Sequence, residues 1–476
     1  MIPRRYWRSV REAIMSMCGN DFYWRRARYI IGKNPLPRCK TEGRFRTFQG
    51  KRQGDELTSI NSVLAAFAII FVDLIGRAGL DKVLALAGGP TMVALWAQLQ
   101  SVVELVSAVT MAGVLQGLTV LVAQVDMVRD ERCLLRNALR LGLGTSLAVA
   151  LLVAVASPEL AVWLTRGRIE TGLFVLAALA GCITVIPATL NAYWLGKHMQ
   201  QRMLILALLG SMILLLVAAS AWFGISLRGL IWTQMLLLAV LGLAIWHYLQ
   251  KLRQPRDEQG REYYRKLVKF VPVGLAIGIM SPVSMLLVRS ILSGSISWND
   301  VGFLQALWRS TEWVTATAAG VLSLIFLPRF SSTYGSARFS REMLRAGLVV
   351  LIPAAFFLLL IYLNQRFMLA LLYDTRFVVS NQAAALIMLG SWIRIASWLF
   401  LFGLFSAHRT RLIMAGEILS LPLYALLLWL FADGMTLERT AWLYVVSYLV
   451  YLAFNAVALV YSSHRTAIAA IEAEPA

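Results

Sequence analysis

An apolar run occupies residues 91–124, TMVALWAQLQSVVELVSAVTMAGVLQGLTVLVAQ, and its one charged residue is Glu104. A helix needs about 20 apolar residues to cross the hydrocarbon core of a bilayer, so this run is long enough to span a membrane. Of all 476 residues, 59% are hydrophobic and 15% are charged, whereas about a quarter of the residues of a soluble protein are charged. The sequence therefore predicts an all-α integral membrane protein.

Runs of the same kind follow one another along the chain and predict about twelve transmembrane helices, which we number as spans 1 to 12. They cover Leu57 to Ala87, Thr91 to Gln124, Leu141 to Leu164, Gly172 to Leu195, Met203 to Phe223, Gly229 to Leu249, Leu267 to Leu292, Val301 to Leu327, Ala346 to Leu363, Val378 to Phe405, Leu412 to Phe431 and Ala441 to Tyr461. A linker at residues 250–266 divides them into two sets of six. We therefore expect two six-helix bundles, 57–249 and 267–463, around a central cavity, and a cytoplasmic tail at 464–476.

The positions of the basic residues predict the orientation. The N-terminal tail and the connections on its side of the membrane hold 34 of the 45 Lys and Arg residues, and the opposite side holds 8. Cationic loops resist translocation, so both termini are predicted to be cytoplasmic. Because the cations lie beside the spans, the net charge of +20 does not indicate nucleic-acid binding. Residues 1–56 are predicted to be a disordered basic extension without a cleaved signal.

Motifs of enzymes and metal sites are missing from the sequence. The four cysteines form no C-x-x-C pair, the four histidines form no H-E-x-x-H, and neither G-x-S-x-G nor a P-loop occurs. The connections on the predicted outer side are too short to fold into a catalytic domain. We expect a transporter without catalytic residues, metal ligands or a cofactor.

The two halves resemble each other, which indicates an internal repeat of the kind that transporters commonly contain. An offset of 208 residues places Val93 on Val301 and Glu104 on Glu312. The coincidence of the two glutamates distinguishes this match from chance similarity between apolar helices.

Charged residues inside the spans are the candidates for a functional site, because a charge in a bilayer helix usually faces a cavity or a partner. The guanidinium of arginine donates paired hydrogen bonds to phosphate, so Arg289, Arg309 and Arg394 are predicted to bind an anionic head group. Two alternatives stay open. Arg289 could extend to the outer interface, and Arg309 could pair with Glu312 one helical turn away.

The acids inside the spans are candidates for ion coupling. Partly desolvated carboxylates bind protons more readily, so Glu104, Glu312, Asp73 and Glu417 are predicted to exchange a proton or an ion during transport. The alternative is a structural ion pair or an interhelical hydrogen bond. Asp73 and Arg77 are four residues apart, a spacing that most often neutralises both charges.

Three blocks of sequence resemble one family of transporters. Residues 82–124 carry K-x-L-A-x-x-x-G-P and then A-G-x-x-x-G-x-T-x-x-V-A-Q. The other two blocks contain Lys269-Phe270, Pro282-Val283, Arg289, Ser297-Trp298, Val301-Gly302, Gln305, Glu312 and Leu327-Pro328, then Arg376-Phe377, Arg394, Arg411 and Glu417. In order and spacing they are similar to the Wzx-type lipid-linked oligosaccharide flippases, which include O-antigen and lipid III flippases. That family is the polysaccharide exporter branch of the multidrug/oligosaccharidyl-lipid/polysaccharide exporter superfamily.

The resemblance implies a function. Such a flippase moves an undecaprenyl-pyrophosphate-linked oligosaccharide repeat unit from the cytoplasmic to the periplasmic leaflet of the bacterial inner membrane, for O-antigen, exopolysaccharide or common-antigen synthesis. Alternating access coupled to an ion gradient, a polysaccharide polymerase and a chain-length regulator as candidate partners, and action as a monomer are also implied. The intramembrane charges that carry over position by position are Arg289, Glu312, Arg394 and Glu417.

The chain also departs from the family pattern. The family has a lysine where Asp73 stands, and Arg309 and Glu104 have no counterpart. Residues 1–56 lie outside the pattern and are either a lipid-binding basic arm or sequence upstream of a start at Met15 or Met17.

Two other functions stay open at this point. A drug or cation antiporter of the same superfamily should have an acidic cavity, whereas the charges within the spans here are balanced to basic. A membrane glycan polymerase or ligase needs a sizeable outer loop that carries catalytic residues, and the short outer connections do not provide one.

Overall fold

The fold was analysed in a computed structural model that describes residues 52–122, 128–197, 199–224, 226–251, 259–272, 278–407 and 409–472. The first half contains helices at Arg52–Val109, Gln116–Val122, Val128–Val155, Ser157–Thr165, Thr171–Gly196, Gln200–Trp222 and Leu227–Lys251. The second half contains helices at Gln259–Val268, Met280–Ser295, Trp298–Val321, Leu327–Thr333, Ala337–Leu363, Gln365–Leu372, Asn381–Ser406, Thr410–Ile418, Leu421–Leu430 and Leu437–Glu472. Within these ranges no strand occurs, and the predicted all-α class is confirmed.

Nine spans of the described chain are helices long and apolar enough to cross a membrane by themselves. Phe67–Ala108 and Thr110–Val122 pass the same test together, with a bend of 46° between them, and this pair contains spans 1 and 2. The described helix of span 7, Met280–Ser295, has 16 residues and is not among the helices that pass the test. The described chain therefore contains nine or ten candidate spans, and the predicted number of about twelve stays a prediction.

The surface of the helices suits a lipid environment. Leu152 on span 3 and Phe356 and Leu363 on span 9 are 71%, 61% and 69% exposed, respectively. A soluble protein rarely leaves apolar surface of this extent uncovered, whereas a bilayer covers it without cost. The chain is a multi-pass membrane protein.

The predicted domain boundaries differ in detail from the helices. Residues 1–51 of the basic extension, 252–258 of the linker and 473–476 of the tail lie outside the described residues. The second part of the predicted linker is helical, and Leu267 at its end is buried against the first bundle. Span 12 continues as a helix to Glu472, because no proline or glycine interrupts it after Tyr461.

Spans 1 and 2 are two helices that meet directly at a sharp kink within Arg52–Val109, without a longer loop between them. Gly89 has a φ of 67° and a ψ of −163°, and Pro90 follows it. Pro90 has no N–H to donate to the Leu86 carbonyl, which would otherwise lack its helical partner. Arg376, from the second bundle, donates from Nη2 to the Leu86 carbonyl at 3.1 Å and to the Ala85 carbonyl at 2.8 Å. A side chain of the second bundle therefore supplies hydrogen bonds to carbonyls at the kink in the first bundle.

Replacing Arg376 with alanine is expected to lower the stability of the detergent-solubilised protein by about 1 kcal/mol, because the carbonyls at the kink lose a charged donor. Thermal unfolding should show this as a drop of about 1–2 °C. The exposed Arg366 forms no hydrogen bond with the described residues, so Arg366→Ala is a control for loss of charge and should leave the midpoint unchanged. Equal midpoints for both variants would contradict the capping role.

The same arginine acts on a neighbouring acid. Hydrogen bonding to Arg376 holds the pKa of the Asp374 carboxyl below its ordinary value. A depressed pKa contributes stability above the unfolded-state pKa, and this contribution is lost as the pH falls through the folded-state value. The contact is therefore complete at neutral pH and weakens only in acid.

The two bundles meet at one end of the protein, which we call the low-charge end. It carries the eight cations of the predicted outer side: Arg77, Lys82, Arg166, Arg168, Arg228, Arg366, Arg376 and Arg439. Thr91 Oγ1 donates to Asn299 Oδ1 at 2.7 Å, and these residues are 208 positions apart, the offset of the repeat. Beside them, a Cβ on Gly302 would lie 2.1 Å from the Pro90 carbonyl oxygen, so only glycine allows this approach of the two backbones. Equivalent positions of the two halves therefore touch each other, as expected around a two-fold axis.

Candidate functional site

One charged cluster joins span 1 to span 8. Arg309 Nε donates to Asp81 Oδ2 at 3.0 Å, and its Nη1 donates to Glu312 Oε2 at 2.5 Å. Exposure falls across the cluster, from 38% for the Glu312 side chain through 18% for Arg309 to 7% for Asp81. The predicted pairing of Arg309 with Glu312 is present. Asp81, which the sequence did not single out, adds a buried bond between the bundles.

A second ion pair lies on span 1. Arg77 Nε donates to Asp73 Oδ2 at 2.9 Å, and the two side chains are 38% and 48% exposed, respectively. The predicted pairing at a spacing of four is therefore present. Arg77 also lies within electrostatic range of Glu312 and Asp81, so the pair belongs to the surroundings of the first cluster.

Arg289 is buried between the bundles and is only 4% exposed. Its Nε and Nη2 donate to Gln305 Oε1 at 3.1 and 3.0 Å, and its Nη1 donates to Ser101 Oγ at 2.8 Å and to the Ala97 carbonyl at 3.2 Å. The alternative in which Arg289 extends to the outer interface is wrong, because these acceptors hold the guanidinium inside the protein. Its predicted role in substrate binding stays a prediction.

The contacts of Arg289 and Asp81 are related by the repeat. At the offset of 208, Asp81 is equivalent to Arg289, and Ser101 is equivalent to Arg309. The bond from Arg309 to Asp81 and the bond from Arg289 to Ser101 therefore exchange places when the two halves are exchanged. An offset comparison that looked for opposite charges would have found Asp81 from the sequence.

Glu104 on span 2 is exposed although it lies in the middle of an apolar helix. Its side chain lies within electrostatic range of Arg289. Carboxylates at such positions usually face a cavity or a partner. The predicted role of Glu104 in exchanging a proton or an ion during transport stays a prediction.

Arg394 and Glu417 lie together in the second bundle. The Arg394 guanidinium is 4.7 Å from the ring centroid of Trp398 and 5.7 Å from that of Tyr448. Glu417 Oε1 accepts a hydrogen bond from the Tyr451 hydroxyl at 2.9 Å. Among the described residues, no carboxylate oxygen lies within 4.0 Å of the Arg394 guanidinium. Arg394 therefore lies among aromatic side chains and shares a hydrogen bond with Tyr444, and a guanidinium with five N–H donors keeps others for a further acceptor.

These side chains line one cavity of about 140 Å³. Its walls come from spans 7, 10, 11 and 12 and include Met280, Arg394, Trp398, Glu417, Tyr448 and Tyr451. The space exceeds that needed for several water molecules but is smaller than the roughly 300–1,000 Å³ of a site for a drug-sized ligand. It can hold a small polar group, and not an oligosaccharide.

The predicted site residues converge in part. Arg309, Arg77 and Arg394 all lie within electrostatic range of Glu312, so charges from spans 1, 8 and 10 share one region. Arg289 lies next to this region, because it is within electrostatic range of Arg309. Glu417 lies within electrostatic range of Arg394 on the wall of the second-bundle cavity, and a cavity inside this bundle was not predicted from the sequence.

Comparisons with known proteins agree with this architecture. The chain is 22% identical over 383 residues to the lipid III flippase of Escherichia coli K12, a match that covers 78% of this chain and 90% of that protein. The lipid III flippase of Shigella flexneri matches to the same extent. No family model matches the sequence.

Solved structures share the fold. An inward-facing multidrug resistance transporter of the MATE family, in the MOP superfamily, superposes with a TM-score of 0.58 at 14% identity, covering 86% of this chain and 96% of that one. The MATE multidrug transporter DinF-BH has a TM-score of 0.58 at 13% identity, and the match covers 90% of this chain and 100% of that one.

The chain therefore has the all-α fold of these transporters, with charged clusters inside its spans, and the known proteins that it resembles are transporters and not enzymes. The particular resemblance in sequence is to a lipid III flippase.

Proposed function

We propose that the chain is a flippase that moves an undecaprenyl-pyrophosphate-linked oligosaccharide repeat unit from the cytoplasmic to the periplasmic leaflet of a bacterial inner membrane. It does so by alternating access of the two bundles, and both termini are cytoplasmic. The observation that carries this proposal is Arg394, an arginine in a membrane cavity that is held by aromatic rings and not by a carboxylate.

The chemistry of arginine supports a phosphate ligand. A guanidinium presents five N–H donors in a fixed plane and keeps its charge when it is buried. Trp398 and Tyr448 lie within cation–π distance of the guanidinium, and cation–π contacts do not use up the N–H donors along its edge. Phosphate oxygens match that edge in pairs. Arg394 binds the pyrophosphate group of the substrate, while Arg309 lies further along the same charged region.

The cavity size limits what Arg394 contacts. A space of about 140 Å³ accommodates the charged head of the substrate but not its sugars. The glycan passes between the bundles, where Phe71 of span 1 packs edge-on against Trp313 of span 8 with ring centroids 5.4 Å apart. The polyprenyl tail stays in the bilayer, because its apolar carbon atoms need no protein cover there.

The acids inside the spans couple transport to an ion gradient. Glu312 is bonded to Arg309 and Glu417 to the Tyr451 hydroxyl, so each can change partners when a phosphate or a proton arrives. Asp73 and Glu104 are more exposed and exchange ions with the cavity. The transporter works as a monomer and delivers its product to a polysaccharide polymerase and a chain-length regulator.

Deletion of the gene is expected to trap complete lipid-linked repeat units on the cytoplasmic leaflet. Mass spectrometry of the extracted lipid-linked glycans identifies the repeat unit, and a membrane-impermeant glycan-modifying probe reports its leaflet. A plasmid copy of the wild-type chain should return the glycan to the outer leaflet. Unchanged lipid-linked glycans in the deletion strain would contradict the proposal.

The similarity in fold to MATE transporters makes a drug or cation antiporter the second candidate. This function would appear in the same deletion strain as increased sensitivity to lipophilic cations without any change in lipid-linked glycans. Trapped glycans are expected only of the flippase, and drug sensitivity with unchanged glycans only of the antiporter. One deletion strain therefore separates the two functions.

A further inference from the structure

Three charged residues of span 1 are spaced four positions apart on one helical face: Asp73, Arg77 and Asp81. The helix Arg52–Val109 has helical backbone angles throughout this part, because its one non-helical residue is Gly89. Side chains four positions apart on a helix are neighbours. Arg77 therefore has an acid one turn away in each direction.

The two acids have different partners. Asp73 is 48% exposed and is bonded to Arg77. Asp81 is 7% exposed and is bonded to Arg309 of the other bundle. Arg309 keeps a second acid, Glu312, on its own helix. When the bundles separate, Arg309 therefore remains paired with Glu312, whereas Asp81 loses the guanidinium that the other bundle provides.

An unpaired carboxylate at this depth is costly, because removing one partner of a buried pair leaves an uncompensated charge. Arg77 can remove that cost by turning from Asp73 to Asp81, since both acids are four positions away. The released Asp73 is half-exposed and is stabilised by water. The resting pair has the better geometry, because an acid that precedes its base by four residues forms the stronger pair on a helix.

We propose that Arg77 is a switch residue that pairs with Asp73 when the low-charge end is closed and with Asp81 when it opens. Each buried charge then has a partner in both states, and the two states differ by a small free energy. The inference rests on the alternating access proposed above, and it does not depend on the identity of the substrate.

A cysteine-labelling experiment tests the switch through the opening of the low-charge end. Ser101 is 3% exposed and accepts a hydrogen bond from Arg289 across the bundle interface, so Ser101→Cys is a buried reporter of separation. It is introduced into the full chain after the four native cysteines have been replaced with serine. The labelling rate with a membrane-impermeant maleimide on intact cells follows the population of the open state.

The two partners of the resting ion pair are expected to act in opposite directions. Asp73→Asn removes the resting partner of Arg77 and should raise the labelling rate about threefold. Arg77→Gln removes the partner that Asp81 needs in the open state and should lower the rate about threefold. An ordinary structural pair would give changes of the same sign for both variants. Changes of the same sign, or equal rates in all variants, would overturn the switch.

Two controls keep the outcome interpretable. Val378 is 69% exposed at the low-charge end, so Val378→Cys should label equally in every variant and corrects for abundance and orientation. Arg77→Met replaces Arg77→Gln where the latter does not accumulate. Glycan export is not the readout, so a wrong substrate assignment would leave the labelling result unchanged. The deletion experiment, conversely, can fail while the switch holds.

Discussion

Replacing Arg394 with alanine is expected to reduce export of the lipid-linked glycan at least about 100-fold, which corresponds to a loss of about 3 kcal/mol in binding. The variant loses the one guanidinium of the second-bundle cavity, and the remaining cavity walls supply Trp398, Tyr448 and the acid Glu417. A carboxylate without its cationic neighbour repels a pyrophosphate. Complementation of the deletion strain, followed by mass spectrometry of surface glycan, measures the effect.

A lysine at position 394 separates the effect of the positive charge from the effect of the paired hydrogen-bond donors of arginine. Arg394→Lys keeps the positive charge but loses the planar set of paired donors, so we expect about 10–30% of export to remain. Arg345 is exposed on the helix Ala337–Leu363, on the side away from the low-charge end. Arg345→Ala therefore controls for the loss of one arginine. Full export by Arg394→Ala at normal abundance in the membrane would exclude the phosphate-binding role.

A disulfide across the low-charge end is expected to stop transport completely and reversibly. The Thr91 and Asn299 side chains are hydrogen-bonded at 2.7 Å and belong to different bundles. A disulfide between cysteines at these positions holds that end shut, and alternating access requires it to open. Export by the oxidised double variant, free of native cysteines, should fall to the background of the deletion strain, and a reductant should restore it.

The matched control is a disulfide within one bundle. Ser380 donates to Glu438 Oε1 at 2.6 Å, and both residues lie in the second bundle at the low-charge end. Cysteines at Ser380 and Glu438 should cross-link without loss of export, because the second bundle moves as a unit. Undiminished export by the fully cross-linked Thr91–Asn299 variant would show that this end does not need to open.

The spans and the local ion pairs followed from the sequence because they depend on neighbouring residues. Apolar runs of sufficient length place the helices, and spacings of three and four residues place Arg309 beside Glu312 and Arg77 beside Asp73. The all-α class and these two local ion pairs were therefore predicted correctly.

The contacts between the bundles depend on residues far apart in the chain and were not predicted. Asp81 was not singled out in the sequence, because its partner Arg309 is 228 positions away. Arg289 was assigned to the substrate or to the interface, although Gln305 and Ser101 satisfy it. A single sequence contains no direct signal for such pairs, apart from the repeat offset.

The kink between spans 1 and 2 also depends on a contact between residues far apart in the chain. Gly89 and Pro90 indicate a break in the helix, and the sequence places a connection there. The two helices meet there at a sharp kink without a longer loop, and Arg376, which is 290 positions after Leu86, donates hydrogen bonds to the free carbonyls. Local signals therefore located the break, and the tertiary contact decided its form.

Flipping by the purified chain in liposomes is the most direct test of the proposed transport. The lipid-linked pyrophosphate glycan recovered from the deletion strain is placed in both leaflets with the chain, and a glycosidase added outside digests only the outer pool. The wild-type chain is expected to make the whole pool digestible, whereas Arg394→Ala should leave about half protected, as in protein-free liposomes. Protection of half the glycan in the presence of the wild-type chain would show that the chain does not flip it.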